Sequence, residues 1–249
     1  MTSPRPIDHA ASAALWAMGL GWMGLTLPPL TLLYRAFGSH NVDGLTRVFT
    51  RGQVALTLCR WQAEVDEAVR PDRPYVFVQN HVNLFDHCTM YAATPHFKQG
   101  VELLKHFDIP LYGPFMKHRG TIPVDRDDKA NLLMVQRRIK AELAAGRSLL
   151  AFPEGTRTRD GRVAPFQSGL FHIARSVGAE IVPVAVTGMF EVLGTPSRVM
   201  RPFQDVRVHV MAPIPTAGLA RGDVDALTAQ VHGQIAAKVD AYYARRGAL

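Results

Sequence analysis

The sequence predicts an α/β fold: a layered, mostly parallel sheet with flanking helices, preceded by an N-terminal hydrophobic, membrane-associating helical segment. Short apolar runs typical of buried strands alternate with helical patterns of about ten to eighteen residues, and this alternation indicates strand–helix–strand units. The first fifty residues contain a long uncharged stretch instead. We therefore divide the chain into a membrane-associating segment, residues 1–50, and a larger domain that ends in a C-terminal helix, residues 51–249.

The predicted elements of the larger domain follow one another in order. Strands are expected at residues 75–79, 120–126, 148–152, 181–187 and 206–211. Helices are expected at about residues 85–93, 127–145, 168–177 and 223–245. In the second of these helices, apolar residues recur at three- and four-residue steps, and Gly146 suits the C′ position that ends a helix.

The N-terminal stretch from residue 10 to residue 34 carries no charge. Its 18 residues before Pro28 would form a helix about 27 Å long, close to the roughly 30 Å of a bilayer's hydrocarbon core. Trp16 and Trp22 suit a membrane interface, and the dipeptide Pro28-Pro29 tends to break a helix. The pattern favours a membrane helix or a half-inserted hairpin bent at these prolines. The alternative is a buried hydrophobic helix of a soluble domain.

Basic residues outnumber acidic ones, with 28 Lys and Arg against 21 Asp and Glu, for a net charge of +7. This charge suits nucleic acid, a phosphorylated substrate or an anionic membrane face. Because the sequence has no zinc-finger spacing, basic helix or aromatic-interleaved basic motif, we expect no nucleic-acid partner. The two cysteines, Cys59 and Cys88, cannot form a disulfide framework, which favours a reducing compartment.

Polar side chains crowd the loop after the first predicted strand: Asn80, His81, Asn83, Asp86 and His87. On one helix, His81 and Asp86 would point apart, since five residues turn through about 500°. They can meet only if His81 lies in the loop and Asp86 in the first helical turn. An Asp that accepts a hydrogen bond from His Nδ1–H fixes the tautomer and leaves Nε2 free as a base. Such a pair can deprotonate a hydroxyl group.

Three other interpretations of this loop compete with the base. Asp86 would serve only as a first-turn carboxylate favoured by the helix dipole. A metal site would use His81, Asp86 and His87, but His87 follows Asp86 directly and points about 100° away, so we expect no metal. Cys88 would be a nucleophile on the opposite side of the helix, although a single cysteine is more often part of a core.

A second group of functional side chains lies in the segment "FPEGTRT", residues 152–158. Gly155 permits tight backbone geometry near a ligand. Thr156 and Arg157 offer hydroxyl, amide and guanidinium donors, and the guanidinium fork suits a phosphate. The alternative is a surface turn in which Glu154 and Arg157 pair with each other.

Arg126 ends a third segment, "GTIPVDR", where it either adds positive charge near the site or pairs with a neighbouring aspartate. In order and spacing, "NHVNLFDH", "GTIPVDR", "FPEGTRT" and "IVPVAV" resemble the four sequence blocks of the glycerolipid acyltransferases, the lysophosphatidic acid acyltransferase family. The resemblance covers roughly residues 75–187. Four blocks in the same order make a specific match.

The resemblance implies transfer of a fatty acyl group from acyl-CoA or acyl-carrier protein to the hydroxyl of lysophosphatidic acid, giving phosphatidic acid. It implies that His81 is the general base, that Asp86 orients it, and that Pro183 shapes the acyl or acceptor side. The acceptor-binding residues it implies are Arg126, Glu154, Gly155, Thr156 and Arg157. No metal or other cofactor is implied. We expect residues 51–249 to form a catalytic domain on the cytoplasmic side of the inner membrane, in contact with membrane lipid.

Two positions depart from the family pattern. Asn83 stands where the family often has Ser, and Gln167-Ser168 stand where it often has Lys after "PF". If that Lys contacts a phosphate in the family, its absence leaves the acceptor head group open. The alternative acceptors are another lysophospholipid, a lyso-ornithine lipid and glycerol 3-phosphate. A thioesterase, with water as the acceptor, and a non-catalytic lipid-binding membrane protein are the remaining alternatives.

Overall fold

The structure is a computed structural model that describes residues 6–247. Two helices come first: α1, Pro6–Phe37, and α2, Asp43–Ala55. The strands are β1 Arg60–Val65, β2 Val76–Gln79, β3 Lys98–Leu103, β4 Ile122–Val124, β5 Ser148–Ala151, β6 Ile181–Thr187 and β7 Asp205–Val210. The remaining helices are α3 Asp86–Ala93, α4 Tyr112–Arg119, α5 Lys129–Ala144, α6 Gly169–Val177, α7 Met189–Val192 and α8 Val224–Arg245.

Across the described residues the strands form one seven-stranded sheet in the order β1-β7-β6-β2-β5-β3-β4. Neighbouring strands are parallel except β6 and β7, which are antiparallel. The predicted α/β fold with a mostly parallel sheet is therefore confirmed. The sequence patterns do not predict β1 or β3, because both are polar: β1 is an exposed edge strand, and β3 buries Lys98 and Gln99.

Local sequence signals set the ends of α5 and α6. Asp128 precedes α5, and its carboxylate accepts a hydrogen bond from the N–H of Ala130 at 2.8 Å, which satisfies one of the free amides of the first turn. Gly146 and Gly178 follow the two helices with φ of 73° and 66°, a left-handed conformation that glycine adopts without strain. The predicted positions of these helices are confirmed to within two residues.

The sheet is covered on both faces. Alternate residues of the central strand point to opposite sides, with Tyr75 and Phe77 on one face and Val76 and Val78 on the other. The first face packs against α3 and α7 and also contacts Leu15 of α1. The second face is covered by α5, α6 and α8.

Helix α1 continues through Pro28-Pro29, so the predicted bend at these prolines is wrong. Leu27 and Tyr34, on either side of the dipeptide, are buried in one cluster with side chains of α2 and α4. This packing holds both halves of the helix on the same surface and outweighs the hydrogen bonds that the prolines remove. The chain reverses later, at Gly38, whose φ is 79°.

A buried charged cluster joins the first two helices to the rest of the fold. Arg119, at the end of α4, donates to Asp43 Oδ1 at 3.2 Å, to Thr46 Oγ1 at 3.1 Å and to the carbonyl of Lys98 at 3.1 Å. The hydroxyl of Tyr34 lies 3.4 Å from the same guanidinium. Helices α1 and α2 are therefore tied to α4 and β3 by hydrogen bonds as well as by apolar contacts.

Candidate functional site

The predicted functional segments meet at the carboxyl edge of the sheet. Strands β2 and β5 are parallel neighbours, so the loops that follow them leave the sheet side by side, where α/β proteins commonly bind ligands. His81 comes two residues after β2, and Phe152 directly follows β5. Arg126 follows β4 and reaches the same edge, where it contacts the loop after β5.

His81 and Asp86 form a hydrogen-bonded pair, with 2.8 Å between Nδ1 and Oδ2. His81 lies in the loop and Asp86 is the first residue of α3, as the spacing predicts. The carboxylate also accepts the backbone N–H groups of Val82 and Asn83. The Asp86 side chain is 1% exposed and that of His81 is 24% exposed. Since Asp86 occupies Nδ1, Nε2 is the nitrogen that a ligand can reach.

The segment after β5 surrounds the backbone and the ring of His81. Glu154 is buried; its Oε1 accepts the N–H of His81 at 2.6 Å and its Oε2 accepts that of Ala164 at 2.9 Å. The N–H of Thr158 donates to the carbonyl of His81 at 2.8 Å. The Phe152 ring stacks on the imidazole with centroids 4.2 Å apart. Burial raises the pKa of Glu154 to about 7 in spite of its two amide donors.

Arg126 and Arg157 lie at the exposed rim of the site. Arg126 Nη2 donates to the carbonyl of Gly155 at 2.6 Å. Gly155 has a φ of 73°, and a Cβ at this position would lie 2.9 Å from the side-chain nitrogen of Gln167. Thr156 is exposed beside it. Within residues 6–247, no ion pair engages either arginine, so the pairings with acidic neighbours are not observed.

The two residues that follow Asp86 on α3 contact each other and not His81. His87 Nε2 lies 3.3 Å from the Sγ of Cys88, and burial lowers the pKa of this histidine. Burial also raises the pKa of the Cys88 thiol, so the geometry gives no support to a thiolate nucleophile. Across the described part of the chain, no three His, Cys, Asp or Glu side chains are grouped as metal ligands.

Two asparagines fasten the His81 loop to its neighbours. The Asn80 side chain donates to the carbonyl of Val186 at 3.0 Å and accepts its N–H at 2.8 Å. Asn83 Nδ2 donates to the carbonyl of Met189 at 2.8 Å. Asn83, where the sequence departs from the family pattern, therefore contacts the start of α7.

Sequence reasoning missed the parts played by Phe152 and Thr158. Both residues lie within the segment "FPEGTRT", and the only further signal was an aromatic residue at the end of a predicted strand. Pro183 lies inside β6, where its register partner on β2 is Val78. Val78 precedes His81 by three residues, so Pro183 lies within the sheet and not at the rim of the site.

A cavity begins beside Phe152 and extends between α2, α3, β3 and α4. Its lining is mostly apolar and aromatic: Phe49, Tyr91, Val101, Tyr112, Phe115, Met116 and Leu150. Polar groups at its walls include His87, Glu102 and Arg119. The cavity, with a volume of about 60 Å³, therefore adjoins the ring that stacks on His81.

Comparison with known proteins identifies the family. A family model described as Acyltransferase matches residues 60–187, about half of the chain, and this protein belongs to that acyltransferase family. A chloroplastic 1-acyl-sn-glycerol-3-phosphate acyltransferase of Brassica napus is 34% identical over 143 residues, 57% of this chain and 41% of that protein. The chain thus spans about two fifths of the length of the chloroplastic relatives from Brassica napus and Arabidopsis thaliana.

Two bacterial proteins match over most of their length. A lyso-ornithine lipid O-acyltransferase of Pseudomonas aeruginosa is 27% identical over 226 residues, covering 83% of this chain and 85% of that protein. The crystal structure of the 1-acyl-sn-glycerophosphate acyltransferase PlsC from Thermotoga maritima superposes with a TM-score of 0.79 at 18% identity, over 93% of this chain and 94% of that one. At this identity the superposition establishes a shared fold.

Proposed function

We propose that this protein transfers a fatty acyl group from a thioester donor, acyl-CoA or acyl-carrier protein, to the free hydroxyl of lysophosphatidic acid. The observation that carries the proposal is the His81–Asp86 pair, which lies beside the loop that bears Arg157 and contacts Arg126, two exposed arginines with no ion pair within residues 6–247. Membership of the acyltransferase family supports the reaction class. A non-catalytic lipid-binding protein would need neither a buried carboxylate on a histidine nor its accessible Nε2.

In the proposed reaction, His81 Nε2 accepts the proton of the acceptor hydroxyl as that oxygen attacks the thioester carbonyl. Asp86 holds Nδ1–H and stabilises the imidazolium that forms. The tetrahedral intermediate then collapses, the C–S bond breaks, and the proton on His81 passes to the departing thiolate. The products are the diacyl lipid and the free thiol, so protons and charge balance without a cofactor.

The acyl chain and the acceptor head group have separate places in this proposal. The acyl chain is placed against the apolar side chains around the cavity beside Phe152; the cavity itself, about 60 Å³, is too small to enclose the chain. Arg126 and Arg157, with the backbone of Gly155 and Thr156, form the proposed head-group site. Glu154, in the same segment, contributes through the backbone that it holds.

Replacing Arg126 or Arg157 by Ala is expected to raise the KM for lysophosphatidic acid by about 10- to 150-fold, since a charge-assisted hydrogen bond contributes roughly 1.5–3 kcal/mol. The KM for acyl-CoA should change little. Initial rates over a matrix of both substrates measure the two constants. Arg138→Ala, an exposed arginine on α5 that pairs with Glu142, is the control. An unchanged acceptor KM in both rim variants contradicts the head-group assignment.

A lyso-ornithine lipid is the second candidate acceptor. It is favoured by Gln167, which lies beside Gly155 where the family pattern often has Lys, and by the Pseudomonas aeruginosa relative that matches most of both chains. This lipid offers a carboxylate where lysophosphatidic acid has a phosphate. Thiol release from oleoyl-CoA, measured with each lyso-lipid, with glycerol 3-phosphate and with no acceptor, identifies the acceptor. Release without any acceptor indicates a thioesterase.

We further propose that residues 1–50 hold the enzyme on the inner membrane with residues 51–249 on the cytoplasmic side. Residues Ile7–Phe37 form one helix long and apolar enough to cross a bilayer by length and composition. One side of α1 packs on the protein, while Met18, Leu25 and Leu32, at seven-residue steps on the other side, are exposed. A helix that spans a bilayer alone is surrounded by lipid, whereas a helix that lies in one leaflet needs only one apolar side in contact with lipid. Because one side of α1 is covered by protein, we place it in one leaflet. Arg35 and Arg51 are exposed, and their charges suit the anionic lipids of the cytoplasmic leaflet.

Replacing Leu25 and Leu32 by Asp is expected to reduce binding to vesicles that contain anionic lipid by tenfold or more, since burying one leucine contributes about 1.5–3 kcal/mol. These positions are exposed, so the fold should be retained. Deletion of α1 would be a poorer test, because it removes Leu15 and Tyr34 from the core. Co-sedimentation with vesicles measures binding, and Leu133→Asp on α5, equally exposed, is the control. Unchanged binding of the double variant contradicts the anchoring proposal.

A further inference from the structure

The carboxylate of Glu154 has no free oxygen to offer a substrate. Its Oε1 is bonded to the N–H of His81 at 2.6 Å and its Oε2 to the N–H of Ala164 at 2.9 Å. The side chain is buried beneath the loop and not presented at the rim. The group of this segment that attracts a phosphate is the exposed guanidinium of Arg157.

The same loop holds the His81 peptide from its other side. The N–H of Thr158 donates to the carbonyl of His81 at 2.8 Å, so both polar groups of this residue's backbone are bonded to the segment after β5. Phe152, at the start of that segment, stacks on the ring at 4.2 Å and nearly parallel, at 17°. The direction of Nε2 is therefore fixed by three contacts with one loop in addition to Asp86.

The loop is itself held in a defined shape. The N–H of Gly155 donates to the carbonyl of Phe152 at 3.0 Å, and that of Gln167 donates to the carbonyl of Pro153 at 2.9 Å. Arg126 closes the turn by donating to the carbonyl of Gly155. Glu154 thus extends from a fixed turn, and a base in catalysis needs this kind of fixed geometry because small misplacements lower the rate steeply.

We propose that Glu154 is a positioning residue that aims His81 Nε2 at the acceptor hydroxyl, and that it is not a ligand of the acceptor. The proposal rests on the proposed function only in taking His81 as the general base. The resemblance of "FPEGTRT" to the acyltransferase family implies that Glu154 binds the acceptor, and the present proposal assigns it a positioning role instead.

The test compares Glu154→Gln with Arg126→Ala and His81→Ala, using initial rates over both substrates. Glutamine keeps the size of the side chain but has a single carbonyl oxygen, so it can accept from only one of the two amides. We expect kcat of Glu154→Gln to fall by about 10- to 100-fold, with the KM for the acceptor within twofold of the unchanged enzyme. Arg126→Ala should show the opposite pattern, a raised acceptor KM.

The outcomes separate the explanations. A raised acceptor KM with unchanged kcat in Glu154→Gln makes this residue an acceptor ligand and overturns the proposal. A loss of activity that merely follows the folded fraction, measured by circular dichroism, gives it a role in stability alone and also overturns it. Glu154→Asp, which retains both oxygens one methylene shorter, should recover part of kcat; if both variants fail to fold, the proposal fails as well. Full activity of His81→Ala would instead refute the proposed function.

Discussion

Replacing His81 by Ala is expected to lower acyl transfer by about 10²–10⁴-fold, the usual contribution of a general base, while the fold remains intact. The ring is partly exposed and contributes no buried charge, so its loss removes the base without disturbing the core. Transfer is measured as thiol release from oleoyl-CoA in the presence of the lyso-lipid acceptor. Circular dichroism on the same preparation reports the folded fraction.

A second histidine provides the matched control. His209 also hydrogen bonds a carboxylate through Nδ1, at 2.8 Å from Glu64, but it lies on β7 and pairs with the edge strand, away from the His81 loop. His209→Ala should therefore retain activity in proportion to its folded fraction. Asp86→Asn should also be impaired, because a neutral amide oxygen in place of Oδ2 has no charge to stabilise the imidazolium that forms on His81. Near-normal turnover of folded His81→Ala protein would show that the base lies elsewhere.

The central strands could be predicted because parallel strands are buried on both faces and appear as continuous apolar runs. The runs at β2, β5 and β6 are of this kind. Strand β1 could not be predicted in this way, since an edge strand tolerates Arg60 and Glu64. Strand β3 could not be predicted because its buried Lys98 interrupts the apolar pattern. The ammonium of Lys98 donates to the carbonyls of Thr94 and His96. Those partners follow from the tertiary fold and leave no pattern in the sequence.

The His81–Asp86 pair could be predicted because both residues lie within one loop and one helical turn. Their separation along the chain is short enough for helix geometry alone to restrict the arrangement. The bond between Glu154 and His81 spans 73 positions and exists only because β2 and β5 are neighbours in the sheet. Strand order is a property of the whole fold, so the sequence segment "FPEGTRT" signalled a site without showing which of its groups face the histidine.

The prolines of α1 show the limit of local rules. Pro28 and Pro29 each remove a backbone donor, and a helix considered alone should break there. The buried positions Leu27, Leu30 and Tyr34 repeat at three- and four-residue steps across the prolines, so continuing the helix keeps one contact surface against α2 and α4. Tertiary packing therefore decides the conformation, and it places the N-terminal helices on the domain.

Replacing Arg119 by Met is expected to lower the free energy of unfolding by about 3–5 kcal/mol, because it removes the buried partner of the Asp43 carboxylate, which then keeps only the partly exposed Arg47. Arg119 is 4% exposed, and its guanidinium is shared by Asp43, Thr46 and the carbonyl of Lys98. Methionine fills much of the same volume but satisfies none of these acceptors. Thermal unfolding followed by circular dichroism should show a midpoint lower by about 6–20 °C for a chain of this size.

The control for Arg119 is the same substitution at Arg138, which is 53% exposed on its side chain and pairs with Glu142 at 2.9 Å. Glu142 is buried but keeps Arg147 as a second partner, so Arg138→Met should move the midpoint less than Arg119→Met. Adding Asp43→Asn to Arg119→Met should recover part of the loss, since the carboxylate that lost its buried partner is then replaced by a neutral amide. Because Asp43 lies on α2 and Arg119 on α4, the single variant should also loosen the N-terminal helices, and limited proteolysis should cut first near Gly38. Equal midpoints for Arg119→Met and Arg138→Met would mean that apolar packing alone holds these helices on the domain.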